Sequence, residues 1–111
     1  MESKSRKINN LIIEDGKAPF EKWFQKLRDK SVKARIATRI DRLRFGNFGD
    51  CKSVGTGVFE LRIHFGPGYR IYFGLVGSDI VLLLGAGDKS TQKKDIEQAH
   101  KNWRTYNNDK A

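Results

Sequence analysis

The sequence predicts an α+β fold: a small antiparallel (meander) sheet with an N-terminal helical hairpin packed on one face and a C-terminal helix. Residues 58–65 and 69–75 alternate apolar and polar side chains on either side of a Gly-Pro-Gly turn, which is typical of two half-buried strands. Residues 19–44 carry apolar side chains at helical spacing instead. A chain of 111 residues can build one hydrophobic core, so residues 1–111 are interpreted as a single domain.

The first elements are a short strand and two helices. Residues 8–13 end in three consecutive apolar side chains before a turn, which predicts a strand. Pro19 suits the first turn of a helix, because its missing N–H costs little there, and Ser31 is the expected N-cap of the second helix. The apolar stripes of the two helices are Phe20, Trp23, Phe24 and Leu27, and then Val32, Ile36, Ile40 and Leu43.

The central hairpin determines which polar side chains share a face. A three-residue loop at 66–68 makes Phe65 face Tyr69 across the hairpin. In that register the cross-strand pairs on the polar face are His64 with Arg70 and Arg62 with Tyr72.

The apolar run Ile80–Leu84 predicts a further strand that is buried on both faces. Pairing Val76 with the first residue of this run places Asp88, by parity, on the same face as the polar side chains of the hairpin. Lys89 follows at once, and Asp88 or Ser90 can cap the last helix. The apolar stripe of that helix is Ile96, Ala99 and Trp103.

Positive charge is concentrated in one part of the chain. The net charge is +9, and residues 17–45, with ten basic and three acidic side chains, contribute +7 of it. Such a surface favours a polyanionic partner, nucleic acid first, although a solvated helix face has the same pattern. The arginines of the second helix that could contact such a partner are Arg35, Arg39, Arg42 and Arg44.

Composition narrows the classes of protein further. The run Ile80–Leu84 is the longest wholly apolar stretch and is too short to cross a bilayer, and no apolar signal segment follows the basic N-terminus. Cys51 is the only cysteine, which excludes an internal disulfide and a cysteine-built zinc site. We expect a cytoplasmic protein with no membrane partner.

The polar face combines side chains that can hold and cut a phosphodiester. Arginine matches phosphate oxygens with a planar fork, and histidine moves protons near neutral pH. RNA is cleaved when its 2′-hydroxyl attacks the adjacent phosphate, and fixed cations can stabilise that reaction without a metal or another cofactor. The predicted catalytic residues are Arg62, Arg70, Lys89, His64 and Asp88, with Tyr72 beside them as an RNA contact. The alternatives are an ordinary solvent-facing strand face and, for Asp88, a helix cap.

Four stretches carry a resemblance to a known family: GKAPFEKWFQKLRD, ARIATRIDRLRFGNFGD, ELRIHFGPGYRIYF and LLLGAGDKSTQKKDIEQA. From about Gly16 through Ala99 the chain resembles the RelE/ParE superfamily of toxins, and more narrowly its HigB-like addiction-module killer branch. The resemblance implies a β-α-α-β-β-β-α fold and a small antitoxin partner. It also implies ribosome-dependent mRNA cleavage. In that case the RNA or ribosome contacts would be Arg35, Arg39, Arg42, Arg44 and Lys52.

The resemblance also implies roles for individual residues. Arg62 and Arg70 match the family's phosphate-binding strand arginines, and Lys89 matches the basic or polar residue after the last strand. Several relatives use a tyrosine or histidine in that last region, whereas GAGDKS contains neither. The general acid is therefore open among His64, Tyr72 and Asp88.

The leading interpretation is the toxin of a type II toxin–antitoxin module, an endoribonuclease that cleaves ribosome-bound mRNA. Its expected partners are a cognate, DNA-binding antitoxin, the ribosome and mRNA. One alternative is a non-catalytic gyrase inhibitor like the ParE branch. The other is a basic nucleic-acid-binding module that uses the arginine stripe of the second helix.

Overall fold

The computed structural model describes residues 5–13 and 15–110. Its strands are β1 (Lys7–Asn10), β2 (Cys51–Ser53), β3 (Val58–Ile63), β4 (Tyr69–Val76) and β5 (Ile80–Asp88). Its helices are α1 (Pro19–Gln25), α2 (Lys30–Leu43) and α3 (Gln92–Lys110), and the 3₁₀ turn Lys89–Thr91 joins β5 to α3. The order of elements agrees with the sequence prediction, and the connector after α2 adds β2.

The sheet is mixed, which corrects the predicted antiparallel meander. Within the described residues five strands lie in the order β1-β5-β4-β3-β2. β2 to β5 pair antiparallel, but β1 pairs parallel with β5, with Lys7 opposite Ile80 and Asn10 opposite Leu83. The two helices between β1 and β2 carry the chain from β1, at one edge of the sheet, to β2 at the other edge.

The hairpin register differs from the prediction by two residues. Ile63 pairs with Tyr69 and Arg62 pairs with Arg70, so the connection between β3 and β4 is the five-residue segment 64–68. Each side chain of the hairpin still lies on the predicted face of the sheet, because a shift of two residues does not exchange the two faces. The predicted pairs do not survive: Arg62 opposes Arg70 rather than Tyr72, and His64 lies beyond the end of β3.

A bulge in β5 corrects the predicted position of Asp88. The pairing of Val76 with Ile80 is confirmed and continues to Phe73 with Leu83. Leu84 is then an extra residue, because Tyr72 pairs with Gly85. The bulge reverses parity downstream, so that Gly87 opposes Arg70 and Asp88 opposes Tyr69.

Two hydrophobic clusters lie on opposite faces of the sheet. The first joins α1 and α2 to the sheet through Phe20, Val32, Ile36, Leu43, Leu61, Ile63, Ile71, Phe73, Val81 and Leu83. The second joins α3 to the sheet through Leu11, Val58, Tyr72, Leu82, Leu84 and Ala99, with Ile96, Trp103 and Tyr106 against it. The face of the hairpin that was expected to present polar groups is therefore partly covered by α3.

Trp103 shows how closely α3 approaches the sheet. A Cβ atom added to Gly74 in β4 would lie 2.4 Å from Cζ3 of Trp103, so the indole rests directly on the strand backbone. Only a residue without a side chain allows this approach.

The start of α2 also differs from the prediction. Asp29, not Ser31, is the N-cap, and its Oδ1 accepts a hydrogen bond from the Ser31 amide at 2.8 Å. A carboxylate satisfies the first amides and also complements the helix dipole, which a serine hydroxyl does less well. Among the residues described, no helix combines the length and the apolar character needed to cross a bilayer.

Candidate active site

The candidate site is organised around Glu60, the central residue of β3 on the α3 side of the sheet. Glu60 is 0% exposed. Its Oε1 accepts from Nε of Arg62 at 2.9 Å, while Oε2 accepts from the Tyr72 hydroxyl at 3.1 Å and from Nε2 of Gln92 at 2.9 Å. Nε of Arg70 lies 3.7 Å from Oε2. We call Glu60, Arg62, Arg70, Tyr72 and Gln92 the Glu60 cluster.

The hydrogen bonds of the cluster keep Glu60 ionised. Burial acts to raise the pKa of Glu60, but the hydrogen bonds from Arg62, Gln92 and Tyr72 outweigh it, and the pKa is lowered. The effect on Tyr72 is opposite: burial, together with the Glu60 charge, raises the pKa of Tyr72 far above its usual value. The buried pair is therefore a carboxylate and a neutral phenol at physiological pH.

Two arginines face each other directly across β3 and β4. Arg62 and Arg70 are cross-strand partners, an arrangement that is destabilising for like charges unless a counter-charge lies nearby. Glu60 supplies that charge to both. The Arg62 side chain is 27% exposed and that of Arg70 is 11% exposed, so part of Arg62 still reaches the surface.

Arg70 is held by its own loop as well as by Glu60. Its Nη1 donates to the carbonyl of Gly68 at 3.2 Å. Its buried Nε makes no hydrogen bond to any residue that the structure describes. The carboxylate of Glu60 is thus the compensation for burying this guanidinium.

Gly68 brings Lys89 to the same end of the sheet. A Cβ atom on Gly68 would lie 3.6 Å from Nη1 of Arg70 and 3.7 Å from Cβ of Lys89, so the two residues flank it. Gly68 has φ of +80°, which a residue with a side chain adopts only with strain. Lys89 is exposed. Arg62, Arg70 and Lys89 thus lie at the same end of the sheet.

The start of α3 packs closely on this end of the sheet because residue 87 of β5 is a glycine. A Cβ atom on Gly87 would lie 2.9 Å from Oγ1 of Thr91 and would collide with Oδ2 of Asp95. Thr91 donates to Asp95, and burial raises the pKa of the Asp95 carboxyl. This half-buried acid lies at the margin of the Glu60 cluster, as the effect of its charge on Tyr72 indicates.

Asp88 caps the helical turn that follows β5. Its Oδ1 accepts from the Ser90 amide at 2.8 Å and from the Ser90 hydroxyl. The hydrogen bond from the Ser90 hydroxyl is the main cause that lowers the pKa of Asp88. Of the two roles considered for Asp88, the geometry is that of the cap, and an ionised carboxylate cannot donate a proton.

His64 lies in the loop after β3 and pairs with Asp50. Nε2 of His64 contacts Oδ2 of Asp50, and the two side chains are 71% and 46% exposed. Asp50 immediately precedes β2, and its carbonyl accepts from the Arg62 amide at 2.9 Å. The hydrogen bond from His64 is the largest cause that lowers the pKa of Asp50, and the charge of Arg62 acts in the same direction. The histidine is therefore linked to Arg62 through Asp50.

The arginines of α2 take different roles. Arg39 is a brace, donating from Nη1 to the Arg62 carbonyl at 2.8 Å and from Nη2 to the Phe48 carbonyl at 3.4 Å. Arg35 lies 4.1 Å above the ring of Phe65, and Nε of Arg44 pairs with Asp41 at 3.0 Å. A groove of about 460 Å³ between α2 and the hairpin is lined by Ala34, Arg35, Thr38, Arg39, Arg42, Ile63, His64 and Phe65.

Lys52 lies on β2, directly opposite Glu60, and is exposed. It adds a cation beside the Glu60 cluster. Tyr72, in contrast, is 0% exposed, which corrects the expectation that it contacts RNA. Its ring packs under α3, and its hydroxyl is used by Glu60.

Sequence reasoning missed Glu60, Gln92 and Asp50 as parts of the site. Glu60 stands between apolar strand residues and two positions before an arginine, and such a carboxylate is buried only when it is paired. That signal was available. Gln92 and Asp50 had none, since their contacts depend on how α3 and the start of β2 dock. Within the part of the chain that the structure describes, no group of three or more histidine, cysteine or carboxylate side chains is arranged to hold a metal ion.

The fold and site define a class: a small basic α+β domain whose mixed sheet presents an arginine pair and a lysine at one end. The chain belongs to the family described as Phage derived protein Gp49-like (DUF891), whose model matches residues 22–104. This is a family of the RelE/Gp49 toxin type, so the toxin–antitoxin superfamily suggested by the sequence is supported, and an antitoxin partner is implied in general.

A relative from Haemophilus influenzae (strain ATCC 51907 / DSM 11121 / KW20 / Rd) is described as an uncharacterized protein. It is 56% identical over 80 residues, which is 72% of this chain and 81% of the relative. Its description assigns no activity to it.

Proposed function

We propose that this protein is the toxin of a type II toxin–antitoxin module, of the HigB-like branch, and that it inhibits translation by cleaving mRNA on the ribosome. The observation that carries the proposal is the arginine pair Arg62 and Arg70, which one buried carboxylate holds at the end of the sheet where Lys89 also lies. Two guanidinium groups and an ammonium against one carboxylate leave a net positive edge, which suits a phosphodiester and its more negative transition state.

The proposed reaction is transesterification of RNA. The 2′-oxygen forms a bond to the adjacent phosphorus and the bond from phosphorus to the 5′-oxygen breaks, which gives a 2′,3′-cyclic phosphate and a 5′-hydroxyl. Arg62, Arg70 and Lys89 stabilise the charge that builds up on the phosphorane oxygens, so this scheme uses no metal. His64 takes the proton of the 2′-hydroxyl, because Asp88 is committed to its cap and Tyr72 is buried. The 5′-oxygen takes its proton from water, and the proton on His64 returns to solvent.

The wider basic surface is proposed to hold the RNA and ribosome. Arg35 and Arg42 line the groove beside His64, Lys52 adds a cation next to the Glu60 cluster, and Arg44 lies exposed at the end of α2. Arg39 contributes by fixing α2 to the end of β3. The proposed protein partner is a cognate, DNA-binding antitoxin that neutralises this toxin.

The test is mRNA cleavage in a reconstituted translation reaction, with the ends of the fragments mapped. Arg70→Ala should lower the rate of cleavage by about 10²-fold or more, as loss of one donor to a transition-state oxyanion typically does. Arg104→Ala is the matched control, because Arg104 is exposed on α3 and its substitution removes the same charge at a different position. Circular dichroism should show that both variants are folded. Equal cleavage by Arg70→Ala and the control would refute the assignment.

A gyrase inhibitor like the ParE branch is the second candidate. It is favoured by the engagement of Asp88 in a cap and by the absence of tyrosine and histidine in the GAGDKS segment, residues 85–90, at the end of β5. A supercoiling assay with gyrase decides between the two. Inhibition at stoichiometric protein, without mRNA cleavage, would establish the second candidate in place of the first.

A further inference from the structure

The pair formed by His64 and Asp50 has the arrangement of an oriented proton carrier. Nε2 of His64 contacts Oδ2 of Asp50. A carboxylate only accepts hydrogen bonds, so the proton of the neutral imidazole stays on Nε2 and Nδ1 keeps its lone pair. Nδ1 is then the ring nitrogen that can take a proton from a substrate.

Asp50 is fixed with respect to the phosphate-binding arginines. Its carbonyl receives the amide of Arg62, which extends the pairing of β2 and β3 by one residue. Arg62 in turn binds Glu60. Hydrogen bonds and ion pairs therefore connect His64, through Asp50, Arg62 and Glu60, to Arg70 along the end of the sheet. A shift of Asp50 would move His64 relative to Arg62.

Other charged groups face this pair. Arg39 of α2 donates to the Arg62 carbonyl and acts electrostatically on Asp50, as does Arg62 itself. The groove on the α2 side adds Arg35 and Arg42. The hydrogen bond from His64, together with the charges of Arg62 and Arg39, lowers the pKa of Asp50. The carboxylate is therefore ionised at neutral pH and can accept the hydrogen bond from Nε2.

We propose that Asp50 is a positioning residue: it holds His64 as the Nε2–H tautomer, so that Nδ1 abstracts the 2′-hydroxyl proton of an RNA bound at Arg62 and Arg70. This inference rests on the proposed function, to which it adds the residue that orients the base. Asp50 itself does not contact the substrate.

The first experiment reads the tautomer directly in the free protein. The chain has two histidines, so ¹⁵N-detected spectra of the imidazole rings resolve His64 from His100, whose Nε2 lies 2.9 Å from the Val54 carbonyl. His64 should be the Nε2–H tautomer in the wild type and a mixture of tautomers in Asp50→Ala, while His100 stays unchanged. The same mixture at His64 in the wild type would overturn the proposal.

The second experiment measures the rate of cleavage of ribosome-bound mRNA. Asp50→Ala should lower kcat by about 10²-fold, the lower end of what a positioned acid or base contributes, with KM little changed. It should cause almost no further loss in a His64→Gln background, because residues that act as a unit are not additive. Asp41→Ala removes an exposed carboxylate paired with Arg44 and is the control for charge. Asp50→Asn, whose amide oxygen can still accept from Nε2, should recover part of the rate.

The outcomes separate this inference from the function on which it rests. A wild-type protein that cleaves no mRNA would overturn the proposed function and the catalytic use of the pair together. Cleavage that Asp50→Ala leaves intact, or that falls equally with and without His64, would overturn the role of Asp50 and leave the endoribonuclease assignment standing.

Discussion

Replacing Glu60 by glutamine tests the centre of the candidate site, since the change keeps the shape of the side chain and removes its charge. A glutamine has one acceptor oxygen, so it cannot accept from Arg62 on one side and from Tyr72 and Gln92 on the other. The opposed guanidinium groups of Arg62 and Arg70 also lose their shared counter-charge.

The size of the effect follows from the burial of the carboxylate. Breaking a buried ion pair by removing one partner costs about 3–5 kcal/mol, and one lost hydrogen bond to a charged group accounts for about 1.5–3 kcal/mol of such a change. Because Arg62 remains partly in contact with water, we expect the lower end, about 3 kcal/mol. That is a large part of the total free energy of unfolding, which is about 5–15 kcal/mol for a domain of this kind.

Urea denaturation at several pH values is the assay. Glu97→Gln, on the exposed side of α3, makes the same chemical change and should alter stability by less than about 0.5 kcal/mol. The Glu60 pKa is lowered in the folded protein from its ordinary value of 4.5, so its stabilisation is present above that pH and is lost as pH falls through the folded pKa. The difference between wild type and Glu60→Gln should therefore shrink on acidification. A variant as stable as the wild type at pH 7, or a difference that does not depend on pH, would refute the reasoning.

Three further changes test the surroundings of the site. Tyr72→Phe removes the hydroxyl that donates to Glu60 but keeps the buried ring, so thermal or urea unfolding should show a loss of about 1–2 kcal/mol, and an unchanged midpoint would show that the bond contributes nothing. Gly74→Ala places a methyl group against Trp103 and should cost about 1–3 kcal/mol in the same assay, with partial recovery when Trp103 is also shortened to leucine; equal losses with and without the indole would contradict the contact. Asp29→Ala removes the N-cap of α2 and should cost about 1 kcal/mol, whereas a neutral result would mean that another group caps the helix.

Local patterns predicted most of the elements of the fold. Of the predicted stripe Val32, Ile36, Ile40 and Leu43, Ile40 is partly buried and the other three are buried. The apolar run Ile80–Leu84 forms the first five residues of β5. The parallel pairing of β1 was not predictable, since periodicity gives the identity of a strand but not its partner. The predicted hairpin register was wrong by two residues. Alternation of apolar and polar residues determines which side chains share a face, but it does not distinguish loops whose lengths differ by an even number of residues.

The candidate site was predicted in part for the same reason. Arg62 and Arg70 share a face by parity alone, which any even register preserves. Asp88 was misplaced because the bulge at Leu84 has no signature in an unbroken apolar run. The burial of Tyr72 depends on α3 covering one face of the sheet. The sequence predicted the apolar stripe of α3, but it did not predict against which face of the sheet that stripe packs.

The parallel pairing of β1 with β5 has a consequence for the synthesis of the protein. The pairing of Lys7 with Ile80 can form only after Ile80 has been synthesised, and the hydrogen bond from Gln92 to Glu60 only after Gln92 has been synthesised. Contacts so distant along the chain form late and slowly. The nascent chain therefore lacks a finished sheet and a complete set of partners for its arginines until most of it has been translated. Any activity that depends on the Glu60 cluster therefore begins only after synthesis of the chain is nearly complete.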